Sequence, residues 1–305
     1  MKTFHTLVVL LLAAGVHAQT FTRLQSFNGT NGANPRYVAL VQGRDGGLYG
    51  TTSAGGGNNA GAVIRIKAGA GLRTLYSFCA QSDCADGAYP FAGLVLGNDG
   101  DFYGTTFQGG ANNGGTVFKV SAHGELTTLY SFCAELNCAD GEYPQARLVQ
   151  GIDGNFYGTT YWAGANANNS LYDDGGGTVF KITPTGTLTT LHSFCSQLNC
   201  TDGNSSLGGL IQGNDGNFYG TTSAGGPPSI WCAGACGTVF KITGEGSLTT
   251  LYDFCSIGIC LDGDTPYGGL VQTSDGNLYY FEWRGLRSLR NRVSACAIRW
   301  TYDAA

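Results

Sequence analysis

The stretch GLVLGNDGDFYGTTFQGGANNGGTVFKVSAHGELTTLYSF, residues 93–132, holds four short apolar segments separated by turn residues. Gly93–Gly97 is the first strand, and Asp99-Gly100 supplies the residues that a tight hairpin turn prefers. Phe102–Thr106 is the second, rich in the aromatic and β-branched side chains that suit a pleated surface. A Gly/Asn loop over Gly109–Gly115 leads to a third strand, Thr116–Val120, which turns at His123-Gly124 into a fourth, Leu126–Phe132. No window sustains a 3.6-residue apolar period, so almost no helix is expected.

The same unit recurs along the chain. Asp-Gly-x-x-Tyr stands at Asp45–Tyr49, Asp99–Tyr103, Asp153–Tyr157, Asp215–Tyr219 and Asp275–Tyr279, with tyrosines 54, 54, 62 and 60 residues apart. The first four copies continue as Tyr-Gly-Thr-Thr, whereas the fifth becomes Tyr279-Tyr280-Phe281-Glu282. Four antiparallel strands, repeated at such a period, predict the blades of a β-propeller. Four complete units supply 16 strands and the fifth adds three from Gly269 onward. The twentieth is Phe21–Phe27, whose Leu24-Gln25-Ser26-Phe27 matches the Leu-Tyr-Ser-Phe ending other units. The expected fold is therefore all-β: a five-bladed β-propeller of four-stranded antiparallel blades, its ring closed by the N-terminal strand so that no edge is left open. An open solenoid is the alternative.

These units resemble the bacterial Gloeo/Verruco (GloVer) tandem repeat. The likeness rests on Gly-Thr-Val-Phe-Lys-Ile-Thr at Gly177–Thr183 and Gly237–Thr243, Leu-Thr-Thr-Leu-Tyr-Ser-Phe at Leu126–Phe132, Gly-Leu-Val at Gly93–Val95, and Asp-Gly-Asn-Phe-Tyr-Gly-Thr-Thr at Asp215–Thr222. It covers nearly all of residues 21–280. The resemblance implies an exported, often surface-anchored protein with propeller-like repeats, and it implies no particular activity or catalytic residue. The resemblance also implies a C-terminal sorting or anchoring segment in many members, and none is visible here. Instead residues 281–305 hold Arg284, Arg287, Arg290, Arg292 and Arg299, five of the chain's 16 basic residues. A frameshift or truncation is one origin for that Arg-rich end, and a divergent last strand over Ala295–Tyr302 is the other.

The N-terminus predicts export. Met1-Lys2, an apolar run from Leu7 to Val16 and the small-x-small end Val16-His17-Ala18 form a cleavable secretory signal over residues 1–18. The run is too short to span a bilayer, which takes about 20 apolar residues. A single domain over 19–305 is then secreted or held at the cell surface, or resides in the periplasm. Cysteine spacing agrees. Cys79/Cys84, Cys133/Cys138, Cys195/Cys200 and Cys255/Cys260 share one spacing, and Cys232/Cys236 forms a fifth pair. In an oxidising compartment these read as local disulfides, and zinc, needing four ligands, fits two-thiol loops poorly. Cys296 remains as a single buried thiol.

Composition narrows the partners. Gly makes up 50 of 305 residues and charged residues only 12%, yet 42% is hydrophobic, enough for a packed core. The net charge of −5 argues against nucleic acid and anionic membranes. No helix N-terminus follows the Gly-rich loops to take a phosphate. Among histidines, only His123 and His192 follow the signal, and neither a Gly-x-Ser-x-Gly nor a His-Glu-x-x-His motif occurs.

Strand order places the Asp-Gly hairpins on one face, where their aspartates serve turn chemistry. The cysteine loops and the loops between second and third strands share the other face. There Trp162 stands at the edge, and Asn166, Asn168, Asn169, Tyr172, Asp173, Asp174 and Trp231 fall within, two long loops, Ala163–Gly177 and Gly225–Gly237. Rings among amides suit a sugar, by stacking and by hydrogen bonds to hydroxyls, although tryptophans also pack loops onto their own blade. Asp86, Asp140, Asp202 and Asp262, with Asn31 at the matching place, follow the cysteine loops on that face. As a ring of carboxylates they offer oxygens to Ca²⁺, and as Asp-Gly loops they cap nearby backbone amides. The strand-three cations Arg65, Lys119, Lys181 and Lys241 need only snorkel or pair with a carboxylate.

The function expected is a secreted, non-catalytic and monomeric propeller that binds an extracellular ligand such as glycan through the cysteine-loop face. Trp162, Tyr172, Trp231, Asn166 and Asn168 are the candidate ligand contacts, and no cofactor other than Ca²⁺ is implied. A structural or adhesive surface module is the alternative. A carboxylate-based glycan hydrolase or lyase using Asp140 or Asp174 stands behind both.

Overall fold

A computed structural model of the chain describes residues 25–35, 39–166, 175–228, 236–257, 260 and 262–279. The signal segment, residues 281–305 with Cys296, and Asn168, Asn169, Tyr172, Asp173, Asp174, Trp231 and Cys232 lie outside these described residues.

Four sheets follow one another along the chain, each of four antiparallel strands in sequence order. Blade one comprises β1 (Val41–Gln42), β2 (Leu48–Thr52), β3 (Ala62–Lys67) and β4 (Gly71–Ser77). Blade two comprises β5 (Val95–Leu96), β6 (Phe102–Thr106), β7 (Thr116–Val120) and β8 (Leu126–Ser131). Blade three comprises β9 (Val149–Gln150), β10 (Phe156–Thr159), β11 (Thr178–Ile182) and β12 (Leu188–Ser193). Blade four comprises β13 (Ile211–Gln212), β14 (Phe218–Thr222), β15 (Thr238–Ile242) and β16 (Leu248–Asp253). Unit five contributes β17 (Val271–Gln272) and β18 (Leu278–Tyr279).

Two details differ from the sequence expectation. The innermost strands form only two residues of ladder, Val95–Leu96 rather than Gly93–Gly97. The chain entering them is drawn toward the preceding unit instead: a Cβ on Gly93 would lie 2.9 Å from the Ala39 carbonyl, and one on Gly209 or Gly269 would crowd Arg147 or Gly209 in turn. The expected twentieth strand is the second difference, since Gln25–Phe27 carry no strand and residues 21–24 are outside the described set.

The cores lie between blades rather than within them. In β7, Val117 belongs to the cluster shared with blade three, while Phe118 and Val120 belong to the cluster shared with blade one. Two-residue periodicity sends alternate side chains to opposite faces, and both faces are covered. The same exchange repeats for Val179 against Phe180 and Ile182, and for Val239 against Phe240 and Ile242. Aromatic stacks sit at each seam: Tyr49 on Phe102 at 4.0 Å, Tyr103 on Phe156 at 3.9 Å and Tyr157 on Phe218 at 3.8 Å. At the next seam Tyr219 packs in one cluster with Leu278.

The Asp-Gly hairpins hold those tyrosines. Asp99 accepts the Asp101 N–H and the Tyr103 hydroxyl, at 3.2 and 2.7 Å, and Asp153 and Asp215 repeat both contacts. Strand-three cations complete the turn, Arg65 paired with Asp45 and Lys119 3.5 Å from Asp101. Burial would raise Asp153 and Asp215, but hydrogen bonds from Asn155, Asn217 and the tyrosines outweigh it and hold both below the ordinary carboxylate range.

Candidate functional site

The opposite face is built from three segments per unit. After each fourth strand comes a loop closed by a disulfide, Cys79–Cys84, Cys133–Cys138, Cys195–Cys200 or Cys255–Cys260. Cys236 is disulfide-bonded as well, and its expected partner Cys232 is outside the described residues. In the first three loops a 3-10 turn runs up to the second cysteine. The first three disulfide loops rest on the second-to-third-strand loop of the following unit, with Gly110 N–H donating to the Cys84 carbonyl, Gly164 to Cys138 and Gly226 to Cys200.

The four aspartates after these loops are buried, at 0, 0, 1 and 5% exposure for Asp86, Asp140, Asp202 and Asp262. Asp140 accepts the Tyr130 hydroxyl at 2.9 Å and the N–H groups of Ala134 and Glu135 at 3.0 and 3.1 Å. Asp86 repeats this with Tyr76, Ala80 and Gln81. Asp262 takes Tyr252 at 2.6 Å together with Ser256 and Ile257. Asp202 takes His192 Nε2 at 3.0 Å with Ser196 and Gln197. Asn31, lacking a disulfide, accepts the Asn28 N–H at 2.8 Å. For Asp202 and Asp262 burial acts to raise the pKa, and the donated hydrogen bonds more than offset it. Both oxygens of each carboxylate are engaged within their own loop, so the aspartates act here as loop braces. Among the described residues, the groups close enough to share an ion are Cys236, Cys255 and Cys260, and Cys133, Cys138 and Glu142, and all of those cysteines are disulfide-bonded.

The crossing segments then carry the chain from one blade to the next. They are pinned by second-strand threonines: Thr51 donates to the Ala92 carbonyl at 2.7 Å and Thr221 to Gly268 at 3.1 Å. In these segments Tyr89 and Tyr143 both have φ of 57°, left-handed backbone that bulky side chains seldom adopt. The strain is held by paired backbone bonds, such as Tyr143 N–H to Gly114 and Tyr161 N–H to Tyr143.

On this frame a row of half-buried rings crosses from blade two to blade three. Phe91 lies 5.0 Å from Phe107, Phe107 4.9 Å from Tyr143, and Tyr143 5.4 Å from Trp162, which stacks on Tyr161 at 5.4 Å. Units one and four have Ser53-Ala54 and Ser223-Ala224 where units two and three have Phe107-Gln108 and Tyr161-Trp162. There the serines only close local hydrogen bonds, Ser53 to the Asn34 carbonyl and Ser223 to Ser205. The fold therefore does not need rings at this position. Arg147, four residues after Tyr143, is exposed, where the other units place Ala39, Gly93, Gly209 and Gly269.

Of the sequence-predicted contacts, Trp162 joins this row. Asn166 is also present, but its amide donates to the Ser193 and Phe194 carbonyls at 2.8 and 3.3 Å and thereby ties its loop to β12. Tyr172, Asn168 and Trp231 are outside the described residues. Phe91, Phe107, Tyr143 and Tyr161 were not singled out from sequence, although comparing units position by position exposes them.

Among the described residues no helix is long and apolar enough to cross a membrane. No curated protein matches the chain. Similar solved structures include a protein assigned as a gluconolactonase, at 13% identity and a TM-score of 0.42, covering 72% of this chain and 63% of its own. The PQQ-bound aldose sugar dehydrogenase of Streptomyces coelicolor matches at 13% identity and a TM-score of 0.42, covering 90% and 83%. The α-L-arabinanase of Penicillium chrysogenum, complexed with arabinobiose, matches at 11% and 0.46, covering 79% and 75%. The chain thus spans less than two thirds of the first of these. In sequence, the Gloeobacter/Verrucomicrobia repeat matches residues 13–226 and again 168–290, and the chain belongs to that repeat family.

Proposed function

We propose that this protein is an exported, non-catalytic propeller of five blades, closed by its N-terminal segment, that binds an extracellular glycan on the row Phe91, Phe107, Tyr143, Tyr161 and Trp162. The observation that carries this reading is local departure from the repeat. Two adjacent units place Phe107 and Tyr161-Trp162 where units one and four have Ser-Ala, and the sheets of units one and four form equally well without them. Half-buried rings packed on one another, with Tyr143 fixed by its bonded left-handed backbone, give a stacking surface whose shape is set before a ligand arrives, which lowers the ordering cost of binding. Arg147 adds the one cationic side chain at the equivalent innermost positions and favours a glycan bearing carboxylates.

A glycan array with purified residues 19–305, run with Ca²⁺ and with chelator, tests the reading. Specific binding that disappears in the Phe107→Ser, Tyr161→Ser, Trp162→Ala variant is the expected result. A blank array on a folded, disulfide-bonded sample would overturn it and favour a structural surface module.

A further inference from the structure

One flank of blade one repeats a surface that is covered everywhere else. At the innermost position Leu94, Leu148, Leu210 and Leu270 are 0 to 5% exposed, whereas Leu40 is 44% exposed. Phe102, Phe156, Phe218 and Leu278 are buried, and Leu48 at the same place is only half-buried. Val120, Ile182 and Ile242 are fully buried, and their counterpart Ile66 is half-buried. An open groove of about 500 Å³ runs along this flank, past Leu48, Ile66, Gln42 and Gln25.

Unit five presents the opposite half of the seam. Tyr49, Tyr103, Tyr157 and Tyr219 are each at most 5% exposed, and Tyr279, fifth in the series, is half-buried. A polar contact accompanies the later built seams. The turn N–H of Asn98 donates to Gln150 Oε1 at 3.0 Å, that of Ile152 to Gln212 at 2.9 Å and that of Asn214 to Gln272 at 3.0 Å. By position, Ser274 is the next donor and Gln42 the next acceptor, and Gln42 is exposed.

We infer that the flank of blade one is the docking surface for unit five of the same chain, with Tyr279 seated on Leu48 and the Ser274 N–H donating to Gln42. This deepens the five-blade reading by naming the contacts that close it. The N-terminal segment supports a partner within the chain. In three seams the turn glycine after the third strand touches the outer strand of the preceding blade: Gly124 lies against Leu75, Gly186 against Leu129 and Gly246 against Leu191. In blade one Gly71, which opens β4 one residue past that turn position, lies against the Gln25 side chain, so the N-terminal segment stands beside the place of a preceding blade's outer strand. Two ends of one chain also meet at a far higher effective concentration than two molecules do.

The test is a Gln42→Cys, Ser274→Cys variant in a Cys296→Ser background, treated with a short bismaleimide without reductant and mapped by mass spectrometry. Asn98→Cys with Gln150→Cys, at a built seam, serves as the positive control. The expected result is a 42–274 link within the monomeric fraction, at a yield similar to the control. Links found only in dimers or larger species would overturn the proposal in favour of a second copy on this flank. No 42–274 link beside a linked control would also overturn it. Small-angle scattering on the same sample separates the two levels, since a closed-ring profile without the link retires these contacts and leaves the ring.

Discussion

The Tyr130 hydroxyl donates to the buried carboxylate of Asp140 at 2.9 Å, and a ten-residue spacing repeats this bond from Tyr76 to Asp86 and from Tyr252 to Asp262. His192 takes the tyrosine's place against Asp202. Removing a charged acceptor that satisfies three donors leaves them unpaired, so Asp140→Ala is expected to cost about 3 kcal/mol and Tyr130→Phe about 1.5 kcal/mol. Urea unfolding of the two variants measures both. Chelator should leave the wild-type transition unmoved, because the buried carboxylates are braced by donors of their own loops.

Acid should weaken the fold in a defined window. Asp153, Asp202, Asp215 and Asp262 all sit below their ordinary pKa. Depressed carboxylates contribute stability that is fully present above the unfolded value of about 3.9 and is lost as pH falls through the folded values. The urea midpoint should therefore hold steady from pH 7 to pH 5 and drop steeply between about pH 4 and pH 2. A midpoint that stays flat to pH 2 would contradict the bracing role.

Asp253 runs the other way. Ser77 and Ser193 at the matching position accept loop N–H groups from Gly57 and Ala165, but the loop of blade four has Pro227 there, which has no N–H to give. Asp253 Oδ1 is left buried without a hydrogen-bond partner, and burial raises the carboxyl above its ordinary pKa. A raised carboxylate destabilises above its folded pKa and ceases to do so once protonated. Asp253→Ser should thus gain about 1 kcal/mol at pH 7, a figure kept small because solvent screens the half-exposed side chain, and the gain should fade toward pH 3. Thermal unfolding at the two pH values checks it.

Ligand binding should respond to reversion of the aromatic row. Phe107→Ser or Trp162→Ala restores what units one and four already carry, so folding should be intact while affinity falls roughly tenfold per ring, the equivalent of about 1.4 kcal/mol. Arg147→Gly should weaken acidic glycans more than neutral ones. Isothermal titration with a matched pair of neutral and acidic oligosaccharides distinguishes these effects.

Much of the architecture was legible because its determinants are local. Asp-Gly-x-x-Tyr sets a hairpin and its tyrosine brace within five residues, and Cys-x4-Cys closes its loop within six. Strands β6 and β7 fall where alternation and β-branched content place them. The short innermost strands were overestimated because close packing against the preceding unit, seen at Gly93 and Ala39, leaves little room for ladder. The aromatic row stayed hidden because Phe91, Phe107, Tyr143 and Trp162 come from two blades and meet only after the crossing segments fold over. Asp140 shows the same limit in reverse, since an Asp-Gly loop reads alike whether its carboxylate faces an ion or its own backbone.

The seam-centred cores have a consequence for how such a chain can change in evolution. Every cluster takes side chains from two neighbouring units, as Val117 and Phe132 do with Phe156 and Phe180. A duplication or deletion of one repeat inserts or removes a unit between two half-cores that still match each other. Copy number can then vary without any new complementarity having to be invented between interior units. Drift in the interior units is held in check from both sides.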